Sequence, residues 1–233
     1  MKKLISTLII ALFTINGFSQ NLDEIVKKHI DAIGGKDNWA KVKSIKTTGS
    51  VKANGADVKI VMLQVDKKAS RQDIALMGMN GYNILTTTEG WSYMPFDGQT
   101  KPEPLTPDDV KKSQDELSIL PDFITYKEQG KKIEYIGKDD VDGTECFKIK
   151  MTNKEKKEVT YYIDPSTYYI IKQTSKDTKD GKEYENSSSM SNYKKQDGGT
   201  VFPYNISGGF GEMEITTIEI NPKIDEAVFK VTK

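Results

Sequence analysis

The stretch ILTTTEGWSYMPF, Ile84 to Phe96, reads as a strand, a tight turn at Thr88-Glu89-Gly90 and a second strand crowded with aromatic residues. A chain that is otherwise polar and rich in lysine thus gathers Trp91, Tyr93, Met94 and Phe96 in one short run. Such rings either fill an ordinary core or line a space kept for something else.

The same punctuation recurs on both sides of this hairpin. From Ile45 onward, runs rich in Val, Ile, Thr and Tyr are separated by ANGAD, DKKAS, MNG, TEG, DVDG, NKEKK, DPST and QDGG, which are turn-forming clusters. Strands are expected near 45–53, 57–66, 69–77, 81–88, 91–95, 132–138, 144–152, 157–163, 168–175, 183–195, 200–206 and 212–220. A meander of this kind predicts a mainly β fold: one strongly curved antiparallel sheet.

Two helical segments interrupt the pattern. Leu22, Ile25, Val26, Ile30 and Ile33 recur at helical spacing ahead of Gly34-Gly35, with His29 on the same stripe, and a short second helix is expected near Lys36–Val42 with Trp39 and Val42 inward. His29 in that position reads as a packed histidine with a satisfied ring nitrogen. Between the hairpins, Thr106 reads as an N-cap, Pro107 as the first helical residue, and Val110, Leu117, Ile119 and Leu120 as the apolar members of a helix that Pro121 stops. That inserted helix is expected to lie across an opening of the sheet.

The chain begins Met1-Lys2-Lys3 and continues through the apolar run Leu4–Phe13, a charged segment followed by a short apolar one. This predicts a cleavable signal peptide over residues 1–19, cut after Ser19, followed by one domain over 20–233. The apolar run is shorter than the ~20 residues a spanning helix needs. Removal of Lys2 and Lys3 leaves 34 − 2 = 32 basic against 34 acidic side chains, a net charge near −2. That balance excludes electrostatic recruitment to nucleic acid. Cys146 is the sole cysteine, without a partner for a disulfide, and reads as a small strand residue. No Ser-His-Asp order, H-E-x-x-H, cysteine pair or glycine-rich phosphate loop occurs, so no enzyme, metal or cofactor is expected.

In the strands the alternation separates a dry face from a wet one. Phe147, Ile149 and Met151 alternate with Cys146, Lys148 and Lys150; Val159, Tyr161 and Ile163 alternate with Thr160 and Tyr162. The helices carry too few large apolar residues to cover the inner face of so many strands. Methionines in the predicted strands, flexible enough to refill irregular space, fit a wall that accepts a guest.

Several short pieces, in order, resemble the LolA/LolB-like family, the periplasmic carriers and receptors that sort outer-membrane lipoproteins. Trp91-Ser92-Tyr93-Met94-Pro95 is similar to its W-x-Y-x-P strand and VTYYIDPSTYYIIKQTSK to its hairpin around I-D-P-x-T. GGTVFPYNI resembles the family's G-x-x-F-P strand, and IEINPKIDEAVFKV its closing strand with an N-x-x-I-D-x-x-x-F tail. The hairpin QVDKKASRQDI departs from it, offering Lys67, Lys68 and Arg71 where the family has an arginine followed by proline and an aromatic.

The resemblance implies an incomplete, half-open barrel of about 11–12 strands, with the N-terminal and inserted helices as a lid over a hydrophobic cavity. The residues expected to line that cavity are Met62, Ile74, Leu76, Trp91, Met94, Phe147, Ile149, Met151, Met190 and Phe202. The expected function is a soluble periplasmic carrier of the acyl chains of a lipid or lipoprotein, with transient envelope protein partners. The alternative is a sensor or protein-interaction module on the same fold.

Overall fold

The computed structural model describes residues 14–53, 55–179, 182–209 and 211–231. The apolar run of the expected signal peptide lies outside them, so that segment is not described; Thr14 to Ser19 form the start of a helix. Among the described residues no helix is long and apolar enough to cross a membrane.

Fifteen strands and four α-helices are present among the described residues. Thirteen strands form one antiparallel sheet in the order β6-β5-β4-β3-β2-β1-β15-β14-β11-β10-β9-β8-β7, open between its two ends; β12 (Lys194–Lys195) and β13 (Val201–Phe202) pair separately. The chain divides into two compact units, one of the N-terminal helix to Ile33 with Tyr126–Asn186, the other of Gly34–Thr125 with Ser187–Lys233.

The first unit holds α1 (Thr14–Ala32), β7 (Lys132–Val141), β8 (Thr144–Thr152), β9 (Glu158–Ile163), β10 (Ile170–Lys179) and the start of β11 (Lys182–Ser191). Helix α1 runs beside β7 and buries Ile25, Val26 and Ile30, with Ile33 buried just past its end. Direct pairing of Tyr135 with Ile149, Ile149 with Tyr161 and Phe147 with Ile163 puts the dry residues on one face, as their alternation requires. Lys138–Glu145, Lys148–Asp139 and Lys150–Glu134 ion pairs, 2.7 to 3.3 Å, ladder across β7 and β8. β7 is a sheet edge, and its charges and the irregularity between Tyr135 and Lys138 keep another strand from adding there.

The second unit holds α2 (Lys36–Trp39), β1 (Ser44–Ala53), β2 (Ala56–Val65), β3 (Ala69–Leu76), β4 (Met79–Thr86), β5 (Gly90–Tyr93) and β6 (Glu103–Pro104). β14 (Asn205–Gly208) and β15 (Gly211–Ile220) close it against β1. The expected helix before Pro121 is broken: α3 covers only Pro107–Lys112, a 3-10 turn takes Gln114–Leu117, and α4 (Asp122–Thr125) follows Pro121. The cause is local competition for carbonyls. Val110 O, which would take the Gln114 amide in a continuing helix, accepts instead from Gln114 Nε2 at 2.8 Å; further on, Glu116 O accepts from Gln64 Nε2 and Leu117 O from the Lys67 amide, both at 2.8 Å, which ties the segment to the β2–β3 hairpin. Likewise the strand expected to Pro95 stops at Tyr93, because Pro95 opens a 3-10 turn over Pro95–Asp97.

Candidate functional site

Register alone sorts the β2–β5 side chains onto two faces. Leu63 opposes Arg71, Arg71 opposes Ile84 and Ile84 opposes Trp91, so these four share one face. The C-terminal tail covers it: Ile224, Val228, Phe229 and Val231 pack with Leu63, Ile84 and Trp91. We call this the tail face. The other, the insertion face, carries Ile60 opposite Ile74, Met62 opposite Gln72, and Leu76 opposite Met79. Leu85 on this face packs under Leu105, Val110 and Leu117 of the inserted segment.

The insertion face is only partly covered. Met62 and Met79 are each 39% exposed, Met77 at the tip of the β3–β4 hairpin is 83% exposed, and Ile74 and Leu76 are half-buried. Met77 and Gly78 turn the hairpin with φ of 50° and 81°, the left-handed pair of a tight two-residue turn. Gly81, opposite Ile74, is needed for close approach: a Cβ there would lie 2.7 Å from Tyr93 O, 2.9 Å from Phe96 Cε1 and 3.1 Å from Met94 Sδ. Met94 and Phe96 therefore close over Gly81 beside Ile74.

Four of the expected lining residues thus share one face: Met62, Ile74, Leu76 and Met94. Trp91 does not join them. Its register places it on the tail face, where it is part of the core and its Nε1 donates to Glu89 Oε2 at 3.0 Å, so the expectation that it faces the same space as Ile74 and Leu76 is corrected by strand pairing. Phe147, Ile149 and Met151 belong to the other unit; Ile149 and Met151, 0% and 3% exposed, present almost no surface to a guest, and Phe147 stacks on Tyr168 at 6.1 Å. Met190 pairs with Ile206 between β11 and β14, and Phe202 packs against the Trp39 ring at 4.8 Å. Met79, opposite Leu76, and Phe96, against Gly81, lie on the same face without being among the expected lining residues.

Next to the apolar patch lies a cleft of about 320 Å³, lined by Met62, Gln64, Ser70, Gln72, Asn83, Leu85, Leu105, Ser113 and Glu116 among others. That size is at the lower end of small-molecule sites, about 300–1,000 Å³. A larger opening of about 520 Å³ is lined by Asn38, Lys41, Val42, Gln196, Asp197, Thr200 and the β15 end to Pro222, and its lining is somewhat more polar than that of the smaller cleft. The segment over the smaller cleft is tied down by Gln64 Nε2 to Glu116 O, the Lys67 amide to Leu117 O, and the Ile119 amide to Asp66 Oδ1 at 3.0 Å. Among the described residues no cluster of three or more His, Cys, Asp or Glu side chains could hold a metal ion.

The fold is shared with solved structures of low sequence identity. A domain from Vibrio parahaemolyticus assigned to outer-membrane lipoprotein sorting is 15% identical, with a TM-score of 0.53 over 88% of this chain and 94% of that one. A DUF1329 family protein from Desulfovibrio piger is 13% identical, with a TM-score of 0.54 over 89% and 96%. A LolA superfamily protein from Nitrosomonas europaea is 10% identical, with a TM-score of 0.55 over 89% and 97%. The open antiparallel sheet is thus that of the LolA-like fold. No family model matches the sequence. No curated protein matches it.

Proposed function

We propose that the chain is an exported, non-enzymatic carrier that holds the acyl chains of a lipid or lipoprotein against the insertion face, working in the periplasm once residues 1–19 are removed. The observation that carries this reading is the half-exposed apolar patch of Met62, Ile74, Leu76, Met79 and Met94 on a sheet face that the inserted segment covers only in part. The fold shared with the Vibrio parahaemolyticus domain supports it.

Moving an acyl chain from water onto apolar surface gains about 0.8 kcal/mol per CH₂, so sixteen carbons represent about 12 kcal/mol before ordering costs. A bilayer offers a similar gain. Exchange between membrane and carrier is then nearly balanced, and an incompletely filled, methionine-lined face suits reversible loading better than a deep sealed cavity. The inserted segment, tied to the β2–β3 hairpin by three hydrogen bonds, is the element that opens and closes over it.

The test is uptake of a labelled fatty acyl lipid or lipopeptide by delipidated protein, with native mass spectrometry for co-purified lipid. One lipid per chain is expected for the wild type, and uptake at least tenfold weaker for Ile74→Glu, which sets a charge in the patch. Wild-type protein that neither carries lipid nor takes it up would end the carrier reading.

A further inference from the structure

Resting on the carrier reading, we infer that the cleft on the insertion face selects acyl ligands whose head is uncharged and hydrogen-bonding, such as an ester, an amide or a sugar hydroxyl, over those whose head is anionic. The register places Met62, Gln72, Asn83 and Ser92 in one row across β2, β3, β4 and β5. On one side of that row lie Ile60, Ile74 and Gly81, leading to the methionine patch; on the other lie Gln64, Ser70 and Leu85, leading under the inserted segment. An acyl chain laid on the patch therefore ends its apolar length at a line of neutral polar groups.

Two adjacent carboxamides, Gln72 and Asn83, are half-buried on this face. Asn83 Nδ2 donates to Gln72 Oε1 at 3.3 Å, and among the described residues neither amide has another partner. This leaves an amide nitrogen on Gln72 and an amide oxygen on Asn83 facing the cleft. If both amides are turned over, the free donor and acceptor merely exchange residues, so the pair can both give and accept a hydrogen bond in either assignment. A neutral head that does the same satisfies it.

Charge supplies the discrimination. Of the residues lining the cleft only Arg71 and Glu116 are ionised. The Arg71 guanidinium is engaged on the tail face: it donates to Val228 O at 2.7 Å, pairs with Asp73 at 2.7 Å and lies over the Tyr82 ring at 4.8 Å. The register of Arg71 turns its side chain to the face opposite the Gln72–Asn83 row. Glu116 at the mouth is exposed and negative. An anionic head would lose hydration and meet a carboxylate, with no cation to replace the water.

The experiment compares 1-monopalmitoylglycerol with palmitate at pH 8, each below its aggregation limit, by direct titration into the delipidated full chain. Both carry the same acyl chain. Wild type should bind the glyceride at least about tenfold more tightly, the cost of one unmatched charged group. The Gln72→Leu, Asn83→Leu double variant should bring the two affinities together, and Gln72→Lys, which keeps the strand polar and adds a cation, should turn the preference toward palmitate. Equal or tighter binding of palmitate by wild type, or an unchanged ratio in both variants, overturns the inference while leaving the carrier reading intact. Failure of both ligands to bind wild type overturns both.

Discussion

His29 is 2% exposed on the buried stripe of α1, and its Nδ1 lies 2.8 Å from Tyr168 O. A carbonyl can only accept, so that nitrogen carries the proton and the ring is held in the Nδ1–H tautomer. Burial lowers its pKa below the ordinary histidine value, against the opposing pull of the Tyr168 carbonyl. The unfolded chain therefore binds this proton at higher pH than the folded one. The ring's contribution to stability is complete above pH about 6.5 and is lost as pH falls through that value toward the depressed folded pKa, with a slope of at most about 1.4 kcal/mol per pH unit. Urea midpoints between pH 8 and pH 5 should drop more steeply for wild type than for His29→Gln, which keeps a donor for Tyr168 and cannot titrate. Parallel curves would mean that His29 does not gain a proton on unfolding. Cys146 makes the opposite point about buried groups. It has no exposed surface, and burial, reinforced by Asp164, Asp140 and Asp139, pushes its thiol up to about 11, which suits a packing residue and no nucleophile.

At the scale of elements, the β2–β3 hairpin is where this chain departs from the family pattern it resembles, and it still holds the inserted segment. It does so with a carboxylate and a backbone amide: Asp66 Oδ1 accepts from Ile119 N, and the Lys67 amide donates to Leu117 O. Asp66→Ala should cost about 1.5–3 kcal/mol locally, the worth of a hydrogen bond to a charged group. Native-state hydrogen exchange at Ile119 and Leu117 should speed accordingly, with β8 and β9 protection unchanged; uniform loss of protection would instead make Asp66 a residue of global stability. The same segment marks the limit of what sequence could tell. Thr106 is legible as a cap, and its Oγ1 does accept from the Asp109 amide at 3.2 Å, but the helix breaks after Lys112 where the Gln114 side chain takes the Val110 carbonyl, and the segment beyond is fixed by residues about fifty positions earlier. Strands fared better because their turns are encoded locally, and the alternation of Phe147, Ile149 and Met151 fixed their shared face. In the Trp91 hairpin nearly every residue is bulky on both sides, and only the pairing of Ile84 with Trp91 decides which way the indole points.

Across the whole chain, the motifs that carry the family resemblance build the fold and leave the ligand face unspecified. Asn221 Oδ1 accepts from the Lys43 and Ser44 amides, Asp225 caps the final 3-10 turn, and Ile224 and Phe229 fill the tail face. Asp164 accepts from the Ser166 amide and from the Ser166 and Thr167 hydroxyls to set its turn. Those are requirements of geometry, and any ligand would be served by them. The patch and the amide row instead depend on Met62, Gln72, Ile74 and Asn83, ordinary strand residues that no motif marks. A division of labour follows between the two faces of β2–β5, and it predicts opposite outcomes for two substitutions. Phe229→Ala should destabilise by about 3–5 kcal/mol through the cavity left among Ile84, Trp91 and Val228, with acyl uptake by the folded fraction unchanged. Ile74→Glu, on a half-exposed site, should abolish uptake while the urea midpoint moves little. Urea denaturation beside lipid titration on both variants reads the two effects separately. Loss of uptake in folded Phe229→Ala protein, with uptake retained in Ile74→Glu, would move the binding face to the side the tail covers.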